Sequence, residues 1–529
     1  MDRKTVIIGL DGGTFDLIDP LIKKGLLPNL EALMRFGSKG KFLSTTPPMT
    51  APSWVSIATG NNPGKTGIFD FWTPQKNTYQ YRLINYNDVK SPCLWNIASE
   101  FDKKTVIINY PVTYPLPENS RGTIISGMLT PSTDSDYTYP PSLKKDLLKM
   151  NIDYKIDAGW SLEETKNMDK FLNDILYCLD KRKKASLAIM DKKDWDLFTV
   201  VFTALDRIQH FFWHFQDENH PEFDLENAYY QSDPVAKVYA EIDNTIGELL
   251  FRIDRFCSLF IVSDHGFSPL HNLIYVNKIL MDLGLLSVKA QYKDDIMNIS
   301  NGEVDPEDLI HPLVNFDLID WKKTLCFMPT ETSQGLRLNV KGREPEGIIE
   351  QKDIQKNIEG IIESLKSYKD PKSNCPAFSH LFKKDEIYQG DYVDLAPDIV
   401  FLNESIRGLP ITSLTSGAVV KRSSWRTGHH SRYGIFIAAG HHIKGNHDIE
   451  HIEVYDLAPT VLYSLGLPIP ECMDGSIQFE IFKESFVKEN PVRFLKDDKF
   501  NHDPDKTEEV YSKEDNELLT NRLKSLGYL

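Results

Sequence analysis

Short apolar runs punctuate the chain and set its rhythm. Thr5 to Leu10 (TVIIGL) is rich in β-branched residues, shows no polar alternation, and stops at Asp11-Gly12-Gly13. A run of that kind belongs to a strand buried on both faces, as parallel strands are, and it hands its last residue to a loop. Lys104 to Asn109, Trp195 to Ala204, Ser258 to Ser263 and Gly434 to Ala439 repeat the pattern. Between them lie segments of helical character: Leu27 to Phe36, Ser53 to Ala58, Met168 to Met190 and the long Asp233 to Ile253. Strands alternating with helices predict an α/β fold, a mostly parallel central sheet with helices on both faces. Ligands of such sheets bind at the carboxyl ends of the strands.

From about 270 to 425 the rhythm breaks into mixed short elements, with a polar stretch from Gln291 to Asp308. This predicts a core made of 1–269 and 426–489, interrupted by an inserted cap or lid over 270–425. The remainder, 490–529, reads as a charged surface strap ending in a docked helix, EDNELLTNRLKSLGYL. A length of 529 residues agrees with more than one hydrophobic core.

Composition narrows the function. With 41% hydrophobic and 26% charged residues the chain is an ordinary globular protein. A formal charge of −16 repels polyanions, which argues against a nucleic-acid polymer as partner. A small phosphorylated substrate would need local positive charge, and bound metal ions are the obvious source. The six cysteines are scattered and form no CxxC pair, so they read as reduced core residues. The first apolar run is too short for a signal-peptide core or a membrane span, and the expected compartment is the cytoplasm.

Five clusters carry chemistry. Asp11 closes the first strand in a glycine-flanked loop suited to a metal. In TTPPMTAPSWVSIATG, Thr50 stands just before a helix whose first turn accommodates Pro52, so its oxygen lies at a helix N-terminus that favours a phosphoryl oxygen. In LDRIQHFFWHF, Asp206 and His210 are four residues apart and share one helix face, a carboxylate and an imidazole suited to zinc or manganese. His214 lies a further turn along and is read as a packing residue. IVSDHGFS puts Asp264 and His265 at the end of another buried strand. Last, RTGHHSRYGIFIAAG places His429 and His430 just ahead of a strand, and either could be a ligand.

In this order the pieces resemble the alkaline phosphatase superfamily, in particular its type I phosphodiesterase and nucleotide pyrophosphatase branch. GNNPGKTGIFDF after the nucleophile helix and YDLAPTVLYSLGLPIPECMDG near the end add to the likeness. The family's Gly-x-His form selects His430 over His429. The resemblance implies one divalent ion held by Asp206, His210 and His430, and a second held by Asp11, Asp264, His265 and the oxygen of Thr50. Thr50 would then be the nucleophile of a phosphoric ester hydrolase, since a coordinated hydroxyl ionises more readily. Zinc is the expected metal, with manganese as the alternative. Where the family commonly carries Asn after the nucleophile, this chain has Ser53, which can still donate a hydrogen bond to substrate. Within the superfamily the text looks more like the group described as predicted phosphohydrolases or phosphomutases.

Arg207, Lys65, Arg426 and Arg432 are the candidate phosphate contacts, Arg207 foremost. A sulfatase would need Cys or Ser followed by Pro and Arg, where this chain has TAPSW. Phosphomonoesterase or phosphomutase chemistry and a non-catalytic metal-binding protein are the competing readings.

Overall fold

The computed structural model describes residues 3–528 except 117–121, 160–162, 164–165, 228–231, 293–315, 371–372, 415–417 and 497–509. The polar stretch expected from Gln291 to Asp308 and the middle of the expected strap thus lie largely outside the described residues.

A nine-stranded sheet forms the centre. Its strands are β1 (Thr5–Leu10), β2 (Ser38–Leu43), β3 (Thr105–Tyr110), β4 (Thr123–Ser126), β5 (Thr138–Tyr139), β6 (Leu197–Phe202), β7 (Ser258–Val262), β8 (Tyr433–Ala439) and β9 (His447–Glu453). They run in the order β9-β2-β8-β7-β1-β6-β3-β4-β5. β1 pairs in parallel with β6 and β7, and β3 in parallel with β6 and β4. The apolar runs are therefore buried strands, as their lack of alternation requires. One run departs from the parallel expectation: β8 is antiparallel to both β7 and β2. A chain that passes a ligand just before a strand can bring it to the edge where parallel strands end only by running the opposite way. His430, three residues ahead of the start of β8, meets that condition with its strand start beside the carboxyl end of β7.

The sheet separates two apolar layers. Val6, Ile8 and Leu10 of β1 face one layer and Ile7 the other. On the first side pack α1 (Phe15–Lys23), α2 (Pro28–Phe36), α4 (Met168–Lys192), α5 (Ala204–Phe212) and α6 (Pro234–Leu250). On the second lie α3 (Thr50–Thr59), α7 (Leu457–Ser464) and α8 (Lys513–Ser525), the last docked through Leu519 and Leu523. Helices on both faces of a mostly parallel sheet make this the expected α/β fold.

Between β7 and β8 the chain builds separate small sheets. One joins Asn272–Tyr275 to Gly408–Ile411 and Val420–Arg422; another joins Cys326–Phe327, Gly335–Leu338, Ile399–Leu402 and His380–Lys383. Their own apolar cluster includes Ile279, Phe327, Leu336, Ile361 and Phe401. Asp70 of the core reaches this region, accepting a 2.5 Å hydrogen bond from the Thr330 hydroxyl. Among the described residues no helix is long and apolar enough to cross a membrane.

Candidate metal centre

Adjacent parallel strands deliver the acidic residues to one edge. Leu10 of β1 is in register with Phe202 of β6, and Gly9 with Val262 of β7, so Asp11, the start of α5 and Asp264 follow from neighbouring strand ends. His210 lies one turn beyond Asp206 on α5. A short antiparallel pair, Gly266–Pro269 with Gly428–Ser431, sets His430 opposite Phe267. Two groups of three result, Asp206 with His210 and His430, and Asp11 with Asp264 and His265; within each, ligand atoms lie within 4.8 Å of one another. The groups adjoin, because the His265 and His430 rings stack with centroids 3.6 Å apart.

Each imidazole is anchored through Nδ1. His210 Nδ1 donates to the Gly428 carbonyl at 3.1 Å, His265 Nδ1 to Gly266 at 3.1 Å and His430 Nδ1 to Pro48 at 3.0 Å. A neutral ring that donates from Nδ1 presents an Nε2 lone pair, and the backbone partner fixes its aim. The His210 and His430 Nε2 atoms then face each other at 3.2 Å, and both approach Asp206 Oδ2, at 3.4 and 3.2 Å. Lone pairs converging on a carboxylate oxygen call for a cation among them.

The second group makes the same demand. Asp11 Oδ1 and Asp264 Oδ2 are buried with no hydrogen-bond partner, an arrangement that costs free energy unless a cation satisfies it. Burial, and then the neighbouring carboxylates, push both carboxyls well above the usual range. Asp206 behaves oppositely. Burial raises it, but the adjacent His210 and the Arg207 guanidinium outweigh this and hold it well below. Burial and the adjacent His430 hold His265 well below the usual imidazole value. Of the buried carboxylates, Asp157 and Asp206 pair with the Arg207 guanidinium, and Asp11 and Asp264 add further negative charge beside them. The donor set, the orphaned oxygens and this excess of negative charge fit two divalent ions.

Thr50 opens α3, whose N-cap residue Met49 makes no side-chain cap. Its Oγ1 lies 3.2 Å from His265 Nε2. The helix can lie this close to β1 because Gly9 has no side chain: a Cβ there would come within 2.4 Å of the Trp54 ring. Trp54 Nε1 in turn donates to Asp11 Oδ2 at 3.3 Å.

The other sequence candidates have protein partners. The Ser53 hydroxyl is 2.7 Å from those of Ser44 and Thr45. Arg207 is wholly buried, forked onto Asp157 at 3.1 and 2.6 Å, and its Nη1 donates to Asp206 Oδ1. Lys65 donates to Asp474 at 2.6 Å, Arg432 forks onto Glu404 at 2.8 and 3.0 Å, and Arg426 Nη1 lies 3.4 Å from the Gly527 carbonyl. His214 Nδ1 lies 3.0 Å from the Thr427 hydroxyl. His429 stacks on His430 at 5.2 Å and belongs to neither group.

Two residues at the centre escaped the sequence reading. Asp157 comes from a loop before α4. Tyr528, just beyond the C-terminal helix, places its hydroxyl 3.1 Å from Thr50 Oγ1. The available signal was slight, a single aromatic after Leu526-Gly527 in the terminal helix.

Comparison with known proteins bears on the family and the fold. A search of curated proteins finds no match. Among solved structures, phosphonoacetate hydrolase from Sinorhizobium meliloti 1021, in complex with phosphonoformate, is similar with TM-score 0.54 and 15% identity, over 88% of this chain and 95% of that one. Human ectonucleotide pyrophosphatase/phosphodiesterase 5 is similar with TM-score 0.51 and 13% identity, over 90% of this chain and 98% of that one. At such identities these likenesses speak to the fold. The family model described as type I phosphodiesterase/nucleotide pyrophosphatase matches residues 5–407, and the chain belongs to that family of phosphoester hydrolases.

Proposed function

We propose that the protein is a two-metal phosphoric ester hydrolase in which Thr50 is the nucleophile and phosphodiesters or similarly substituted phosphoryl groups are the substrates. The observation that carries this reading is the position of Thr50 Oγ1 at an uncapped helix N-terminus, 3.2 Å from His265 Nε2 and beside the two ligand groups. Asp206, His210 and His430 would hold one ion, and Asp11, Asp264 and His265 with Thr50 the other. Bound there, two divalent ions, zinc by the mixed carboxylate and imidazole donors, supply Lewis-acid stabilisation of the oxygens of an in-line displacement.

The chain's own residues do the rest. Thr50 Oγ1 gives up its proton and attacks phosphorus, the bond to the leaving ester oxygen breaks and that oxygen departs as the alcohol, and the phosphothreonine formed, which keeps the substrate's other ester group, is then hydrolysed by water to return the threonine hydroxyl; the N-terminus of α3 favours the phosphoryl oxygens. Burial of the whole constellation excludes bulk water and strengthens each polar contact. The diester preference follows from the state of the cations. Arg207, Lys65 and Arg432 are committed to carboxylates, and Arg426 contacts Gly527, so the fork that best grips two unsubstituted oxygens of a monoester is already engaged.

Thr50→Ala is expected to lose at least about 10³-fold in kcat, while Thr50→Ser keeps part of it. Acid quenching of the parent during turnover of bis-nitrophenyl phosphate should trap a nitrophenylphosphoryl group on the peptide containing Thr50, detected by mass spectrometry. An alanine variant with near-parental rates refutes the nucleophile. Rapid cleavage of nitrophenyl phosphate with bis-nitrophenyl phosphate untouched refutes the diester preference alone.

A further inference from the structure

The C-terminal helix ends inside the centre. α8 docks on the core through Leu519 and Leu523, and Leu526 and Tyr528 continue the buried face. The Arg522 guanidinium donates to the Thr130 carbonyl at 2.8 Å, and the Ser525 hydroxyl to the Gly159 carbonyl at 2.7 Å. Gly527 then turns with φ +88°, and a Cβ at that position would come within 2.9 Å of the His210 ring. This glycine lets the chain pass against a ligand imidazole and present the next side chain to the nucleophile.

Tyr528 is 3% exposed, its ring packed edge-on against Phe71 at 5.0 Å. Its hydroxyl accepts from Thr50 Oγ1 at 3.1 Å and from Arg207 Nη1 at 2.7 Å, and donates to Asp206 Oδ1 at 3.1 Å. One oxygen thus joins the nucleophile to the outer oxygen of a ligand carboxylate, while Asp206 Oδ2 is left facing His210 and His430.

We infer that Tyr528 is a further catalytic residue: its hydroxyl orients the Thr50 oxygen and, together with Arg207, fixes Asp206 so that Oδ2 alone serves the ion. This rests on the reading of Thr50 as nucleophile. A group entering on Thr50 Oγ1 comes within hydrogen-bond reach of the same hydroxyl. Arg207, the foremost candidate for substrate contact, belongs to this network as a positioning residue held by Asp157.

The test is Tyr528→Phe in the full chain, which removes one oxygen and keeps the ring. We expect kcat for bis-nitrophenyl phosphate to fall about 10- to 100-fold with KM within about threefold. Zinc titration against a competing chelator should show the ion of Asp206, His210 and His430 bound about tenfold more weakly and the other weakened less, because Tyr528 touches Asp206 in the first set and, in the second, only Thr50 and none of Asp11, Asp264 or His265. The melting temperature reports that the fold is kept. A variant that turns over like the parent or faster, or that binds both ions as the parent does, overturns the inference. Thr50→Ala, assayed alongside, separates the two readings: if it stays active the nucleophile is wrong, whereas if it is inactive and Tyr528→Phe is unaffected only the role of Tyr528 falls.

Discussion

Two neighbouring histidines differ by which one has an anchor into the centre. His430 donates from Nδ1 to Pro48 and turns Nε2 toward Asp206, whereas His429 stacks on its neighbour and lies outside both ligand groups. His430→Ala is therefore expected to retain one ion per chain in place of two, measured by elemental analysis after gel filtration, and His429→Ala to retain both. Equal loss from the two variants would contradict the assignment. Single residues were legible where the local pattern announces them: Asp11 and Asp264 each follow an apolar run, and His210 follows Asp206 at helical spacing. Tyr528 and Asp157 were not, because their meaning lies in partners far along the chain. Arg207 was noticed for its charge, but its role depends on Asp157, which no spacing reveals.

Elements with uniform burial were the most legible. β1 has the bounds its composition predicts, and β3 is shifted by one residue from the expected run. The direction of β8 was hidden, since an apolar run reads the same whichever way the strand points. Strand β2 (SKGKFL), second from the edge of the sheet, was missed because its polar residues break the apolar signal. The contact between the core and the 270–425 region was also invisible, and it makes a stability prediction. Burial pushes the Asp70 carboxyl up to about 6, against hydrogen bonds from Thr330 and Thr332. A carboxyl whose folded value is raised binds more protons folded than unfolded, so its stabilising contribution is full below about pH 4 and is lost as the pH rises through about 6. Asp70→Asn, which does not titrate, should gain on the parent by roughly 2–3 kcal/mol between pH 4 and 8 in urea unfolding of the chelated protein. A difference independent of pH would refute the shift.

At the scale of the whole molecule, the centre concentrates carboxylates in a chain that already carries −16. Ions that bind only the folded state stabilise it by mass action. Chelation should therefore lower the melting temperature by about 5 °C or more, as well as ending turnover, and added zinc should restore both. Activity lost without any change in melting would mean that the ions are not held by these buried groups. The centre also spans the sequence from Asp11 to Tyr528. At roughly 5–20 residues per second, a ribosome makes the first of these about 25–100 s before the last. The last of the proposed ligands, His430, precedes Tyr528 by 98 residues, about 5–20 s of synthesis, so on the roles proposed above a nascent chain holds the whole ligand set before it holds the tyrosine that would complete the centre.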